Sequence, residues 1–197
     1  MAYRAGRRCI LCPVSFVSEF KEKLGLKMGE RRLSSLPSVL GGRKGISLPN
    51  VLSVHVLFHA PTIESWKQLQ EVMRILRETH GIPRVTGVAY TPLERAETPT
   101  KWYTTRGVEL HTAEDVDWRF EPNVVQSSKK EVDVLLDLNL DEALPLLFEA
   151  KAARAKFRVG PHRKKEWVRY DFMLESCSDA LDFAKSALHY MNTLQLK

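Results

Sequence analysis

Cys9 and Cys12 have the two-residue spacing that lets both thiolates reach one metal ion or form a redox pair. A structural zinc site needs four ligands, and the chain holds no second pair of matching spacing, so a metal is expected there only if another chain completes the set. His55 and His59 stand four residues apart. In a strand they share one face at about 13 Å, too far to share a metal. Cys177, between Ser176 and Ser178, could sit at a helix N-terminus where the dipole favours thiolate, although a lone cysteine more often fills a core as a small hydrophobe. Asp133, Asp137 and Asp141 recur every four residues. Strand alternation puts the first two on one face, read as the solvent face, with Asp141 capping the next helix. Gly-x-Ser-x-Gly, His-Glu-x-x-His, phosphate-loop and dinucleotide glycine patterns are absent. The reading is a non-enzyme with no cofactor and no small-molecule substrate. Lys101-Trp102-Tyr103-Thr104-Thr105-Arg106 interleaves cations, rings and hydroxyls beside a Pro-rich loop, a pattern suited to holding RNA or, equally, to an ordinary strand with one aromatic in the core.

The elements that must position these residues emerge after Pro49, where β-branched runs alternate with helical ones. Val51 to His59 alternates as a strand. Thr62 then offers an N-cap, and Ile63, Trp66, Leu69, Val72, Met73 and Leu76 recur at helical spacing until Gly81 supplies a stop. Val85 to Tyr90 reads as a strand, 92 to 99 as a polar loop, and Lys101 to Leu110 as a third strand or hairpin arm. Val132 to Leu138 is a further strand, followed by a helix over 141–157 whose Pro145 is tolerable near the first turn. Phe157 to Val159 reads as a short closing strand. Trp167 to Glu175 as a strand, Ser178 as an N-cap, and Ala180, Phe183, Ala187, Met191 and Leu194 on one helical face complete the chain. The expected fold is α+β, a ferredoxin-like sandwich of helices on a mixed sheet. Residues 1–49 form a basic N-terminal extension, 50–160 the core domain and 161–197 a β-α unit packed on it.

Charge is unevenly placed. Residues 1–49 carry ten Lys/Arg against three Glu, whereas the remainder carries twenty basic and twenty-one acidic residues, so the net +6 belongs to the N-terminal segment. Its arginines and scarce acids fit a mitochondrial targeting segment, or an arm laid along RNA or a neighbouring protein. Residues 109–142 hold ten acidic side chains, while 151–165 hold seven basic and no acidic ones, which could meet phosphates or simply form a solvated charged helix face and loop. Three cysteines make no disulfide framework of the secreted kind, and a reducing compartment is expected. No apolar run approaches about 18 residues, so no membrane insertion is expected.

The order of elements, with Leu52 to Phe58 and its helix, the stop at Gly81, Val85-Thr86-Gly87, Pro92 and Lys101-Trp102, resembles the tenth small-subunit ribosomal protein family, in particular its organellar members. Lys101 and Trp102 match that family's basic-aromatic pair and Arg106 its later arginine. Gly107-Val108-Glu109 departs from the family's Ser-Pro-His. The resemblance implies a ferredoxin-like protein in the head of a mitochondrial small subunit, in the matrix, with its long loop among ribosomal RNA and neighbouring proteins. The residues expected to contact RNA are Arg4, Arg7, Arg8, Arg43, Lys44, Lys101, Trp102, Arg106, Lys156, Arg158, Arg163, Lys164 and Lys165. The alternative is a protein-only accessory scaffold subunit of a mitochondrial complex.

Overall fold

The computed structural model describes residues 15–37, 48–175, 177 and 179–193, with side chains from residue 18. Arg4, Arg7, Arg8, Cys9, Cys12, Arg43, Lys44, Ser178 and Leu194 lie outside the described residues.

Strand β1 (Ser53–His59) buries both faces. Val54, Val56 and Phe58 enter one core, while Leu57 enters a second on the opposite side. A strand buried on both faces belongs in the middle of a sheet covered by helices on either side, the setting in which parallel sheets form. Helix α1 (Ser15–Ser35) precedes β1. Helix α2 (Ile63–Arg74) follows it, with Thr62 and Ser65 forming a reciprocal capping box and a π-helical turn at Ile75–Thr79 ending before Gly81, whose φ is +65°. Strand β2 (Arg84–Tyr90) then runs parallel to β1, with Ser53 opposite Arg84.

The chain continues through a helical turn, α3 (Thr100–Tyr103), into edge strand β3 (Val108–His111). A connection over 112–130 returns to β4 (Glu131–Leu138) on the other side of β1. Helix α4 (Leu144–Ala152), strand β5 (Arg154–Pro161), strand β6 (Phe172–Leu174) and helix α5 (Ala180–Thr193) complete the described order. The strand order is β3-β2-β1-β4-β5-β6, and every pairing is parallel. Side chains of α2, α3 and α5 share one core with the sheet, and those of α1 and α4 share the other.

Helices layered on a sheet are as expected. The mixed sheet is not: all strands are parallel, and a ferredoxin-like sandwich, whose neighbouring strands run antiparallel, is not what forms. The physical reason lies in the connections. Lys101–Leu110 is not a hairpin arm, because Trp102 is drawn into the core by stacking on Trp66, with ring centroids 4.6 Å apart and planes 6° apart, which winds Thr100–Tyr103 into a helical turn. Only 108–111 is strand, and Gly87 opposite Val108 sets it parallel to β2. The helix expected to reach Phe157 stops at Ala152, since 154–161 pair with β4 from Glu131–Arg154 onward. The β1-α2-β2 and β4-α4-β5 crossovers cover opposite faces, which with this strand order makes a doubly wound α/β fold whose switch point lies between β1 and β4.

Candidate functional site

Ligands of doubly wound sheets bind outside the carboxyl ends of the strands, at the switch point. Here that place lacks a glycine turn and has part of its helix N-terminus already engaged. The turn after β1 is Ala60-Pro61-Thr62, with no glycine to let a pyrophosphate approach the backbone. Two donors at the start of α2 are engaged by its own capping box: Ser65 N–H donates to Thr62 Oγ1, and Thr62 N–H to Ser65 Oγ. His59 pairs with Asp141 at 2.9 Å and stacks on Tyr90. Asp141 therefore does not cap α4, whose N-cap residue is Ala143 without a side-chain cap; Asn139 braces that residue, its Oδ1 accepting from Ala143 N–H at 2.8 Å and its Nδ2 donating to the Ala143 carbonyl.

A cleft of about 430 Å³ lies instead beside edge strand β3. His111, the last residue of β3, is its most deeply buried polar lining residue. Arg95 reaches it from the loop after β2, Tyr103 from α3, and Asp115, Asn123 and Gln126 from the β3–β4 connection. Behind His111 stands Glu149 of α4, which is fully buried. Its carboxylate accepts from His111 Nε2 at 3.1 Å, from Gln126 N–H at 3.0 Å and from Ser127 N–H at 2.8 Å. Burial alone would raise the Glu149 carboxyl, but these donors outweigh it and hold the group below its usual range. An ionised carboxylate only accepts, so Nε2 carries the proton and Nδ1 is the nitrogen left for other partners.

Ser127 links this pair to a second histidine. Its Oγ lies 3.0 Å from His55 Nε2, and His55 Nδ1 lies 2.9 Å from Thr86 Oγ1. Burial lowers His55 to about 4, with Glu149 pulling weakly the other way, so the ring is neutral near pH 7. The group is not a nucleophilic triad. Ser127 is buried, and the histidine beside it is oriented by a hydroxyl rather than by an acid.

The residues assigned to RNA are scattered. Trp102 is fully buried and packs the core, so it offers no ring to a base. Arg158 is buried, donating to the Ala150 and Ala153 carbonyls at the C-terminus of α4, where a cation offsets the helix dipole. Arg163 is buried against Asp137, the Asn139 carbonyl and Tyr170. Asp137 is thus an interior counterion, not a solvent-facing acid. Lys156 pairs with Asp133 at 2.7 Å, and Lys165 pairs with Glu30 while lying over the Trp167 ring. Lys101, Arg106 and Lys164 are exposed. Cys177 is partly buried, and no group of three or more metal-ligating side chains is arranged for an ion among the described residues. No helix among them is long and apolar enough to cross a membrane.

His111, Glu149, Ser127 and Arg95 were not singled out by sequence reasoning. One signal was present: Glu149 is the sole acid in the apolar run Leu144-Pro145-Leu146-Leu147-Phe148-Glu149-Ala150, where a charge must find donors or not be buried. Nothing comparable marks His111, whose partner is 38 residues away.

Fold and cleft together define a doubly wound α/β domain with a polar cleft on its edge strand and a carboxylate-held histidine at the base. The chain belongs to the family described as DUF6913, a family of unknown function, whose model matches residues 21–194 and so takes in both α1 from Lys21 and α5. No curated protein matches the chain, and neither does any solved structure.

Proposed function

We propose that this chain binds a small polar molecule in the cleft beside β3 and that His111 is the group that engages it. The observation that carries the reading is the buried Glu149 behind His111. An interior carboxylate is costly, and apolar packing of α4 would serve stability as well or better, whereas a carboxylate behind an imidazole at a cleft fixes which nitrogen faces the ligand. Arg95 and Asp115, paired at 2.9 Å, put both signs of charge at the rim, and Tyr103, Asn123 and Gln126 add neutral donors and acceptors. Such a lining suits a ligand with hydroxyl, amide or zwitterionic groups better than an apolar one.

Thermal shift across free amino acids, nucleosides and sugar phosphates, followed by calorimetry on any hit, tests the reading. A ligand at one hundred times its Kd stabilises by about 2.7 kcal/mol. That shift is expected in the wild type, weakened in Glu149→Gln and absent in His111→Ala. Equal shifts in wild type and His111→Ala, or none from any class, overturn it.

A second reading, a structural component of a mitochondrial ribosome contacting its RNA, is favoured by the exposure of Lys101, Arg106 and Lys164. Co-sedimentation with the small subunit, lost on ribonuclease treatment, supports it; migration unaffected by ribonuclease favours a protein-only scaffold.

A further inference from the structure

Exposed cations collect along the amino ends of the strands. On the carboxyl side, the loops mix exposed Glu94, Glu97, Glu114, Asp141 and Glu142 with exposed Arg95, Lys164 and Lys165. On the amino side, Arg84 opens β2, Arg154 opens β5, Lys130 immediately precedes β4, and Arg106 stands two residues before β3. The register aligns them as one rim: Ser53 is opposite Arg84, Glu131 opposite Arg154, and Arg77 ties the Val85 and Arg106 carbonyls together. All four cations are exposed, and among the described residues none is paired with a carboxylate. Of the acids on β4, Glu131 stands opposite Arg154, and Asp133 is already engaged by Lys156 and by the Ser53 and Leu52 N–H groups.

We propose that this amino-end rim, formed by Arg84, Arg106, Lys130 and Arg154, is a contact surface for the phosphate backbone of a nucleic acid strand. From β3 to β5 it spans four inter-strand steps, about 19 Å at the usual strand spacing, a length that meets several successive phosphates. Three of the four are arginines, whose planar guanidinium groups bond phosphate oxygens in pairs. A lipid surface fits less well, because it asks for aromatic or apolar side chains interleaved with the cations. Leu52 is the exposed large hydrophobe near this rim, whereas Trp118, on the loop packed against α1, and Phe20, on α1 itself, lie elsewhere. The contact does not depend on the cleft and asks for no base sequence, since the rim presents cations rather than groups that read base edges. The competing role for these cations is to offset the C-terminal ends of α2 and α4, which the parallel crossovers bring to the same side of the sheet.

The test uses the full chain and a labelled twenty-nucleotide oligouridylate, with anisotropy followed over 50–300 mM salt. For single strands log K falls with log salt by about 0.7 per phosphate neutralised. The variant R84Q/R106Q/K130Q/R154Q is expected to show a slope shallower than wild type by about 2.8, and R154Q alone by about 0.7, the single variant serving if the quadruple one fails to fold. An unchanged slope with a lowered melting temperature assigns the cations to the helix ends and overturns the proposal. Capture of the wild type by phosphatidylserine vesicles or polyglutamate as tight as by RNA overturns it too, since the rim would then be a general polyanion surface.

Discussion

His55 shows how far neighbours can move a titratable side chain. Its ring is enclosed between Thr86 and Ser127, and burial lowers it to about 4 from its ordinary 6.5. The sign of the linkage follows: the unfolded chain binds this proton more readily, so the stability tied to neutral His55 is complete above pH 6.5 and is lost as pH falls towards 4. A shift of that size corresponds to about 3 kcal/mol. Urea unfolding at pH 7 and pH 4 is expected to show wild type losing about 3 kcal/mol more than His55→Gln between the two pH values; equal losses would mean that His55 titrates normally. At this scale the sequence was readable only in part. Asp133 and Asp137 do share a strand face, as alternation requires, but Asp137 is fully buried because Arg163, Tyr170 and the Asn139 N–H, donors supplied from β4's own end and the chain after β5, converge on it.

Helix α1 illustrates what an element can conceal. Gly25 and Gly29 lie one helical turn apart, and a methyl group at either would be driven into a backbone carbonyl, that of Trp118 or that of Arg119, with Leu144 also in the way at Gly29. These glycines let α1 lie directly on the 118–120 loop, while Leu33 is fully buried and its carbonyl accepts from Lys151. Alanine in a helix interior ordinarily gains up to about 1 kcal/mol over glycine. Overpacking against a backbone that cannot turn aside costs 1–3 kcal/mol, which is larger. Gly29→Ala is therefore expected to destabilise by about 1 kcal/mol in chemical denaturation, and a stabilised variant would show that α1 does not sit this closely. Periodicity could not reveal this, since what matters is an absent side chain. The same limit applies to α3: Trp102 was legible as an aromatic beside cations, but its pairing with Trp66 was not.

Across the whole molecule, the last unit is woven into the fold. Strand β6 extends the sheet beside β5, and α5 places Phe183, Ala184, Ala187, Leu188 and Met191 in the same core as Val54, Val56 and Phe58 of the central strand. Phe183, Leu188 and Met191 alone bring about 2 kcal/mol each on burial, a total comparable with the 5–15 kcal/mol by which a domain is usually stable. Deletion of residues 176–197 is expected to abolish the cooperative thermal transition and leave a state that binds a hydrophobic dye. A truncated chain that still melts cooperatively would make α5 an appendage.

Local information sufficed for much of this protein. The strands near 53–59, 84–90 and 131–138, the capped helix after Thr62, the stop at Gly81 and the buried face of α5 follow from residue type and period, because each depends on neighbours within one or two turns of chain. Strand direction, strand order and the candidate site do not. A parallel pairing and an antiparallel one can bury the same residues, and only the crossovers, once packed on opposite faces of the sheet, select between them. The His111–Glu149 pair joins an edge strand to a helix across the 112–130 connection, so its meaning arises from a contact that no spacing in the sequence encodes.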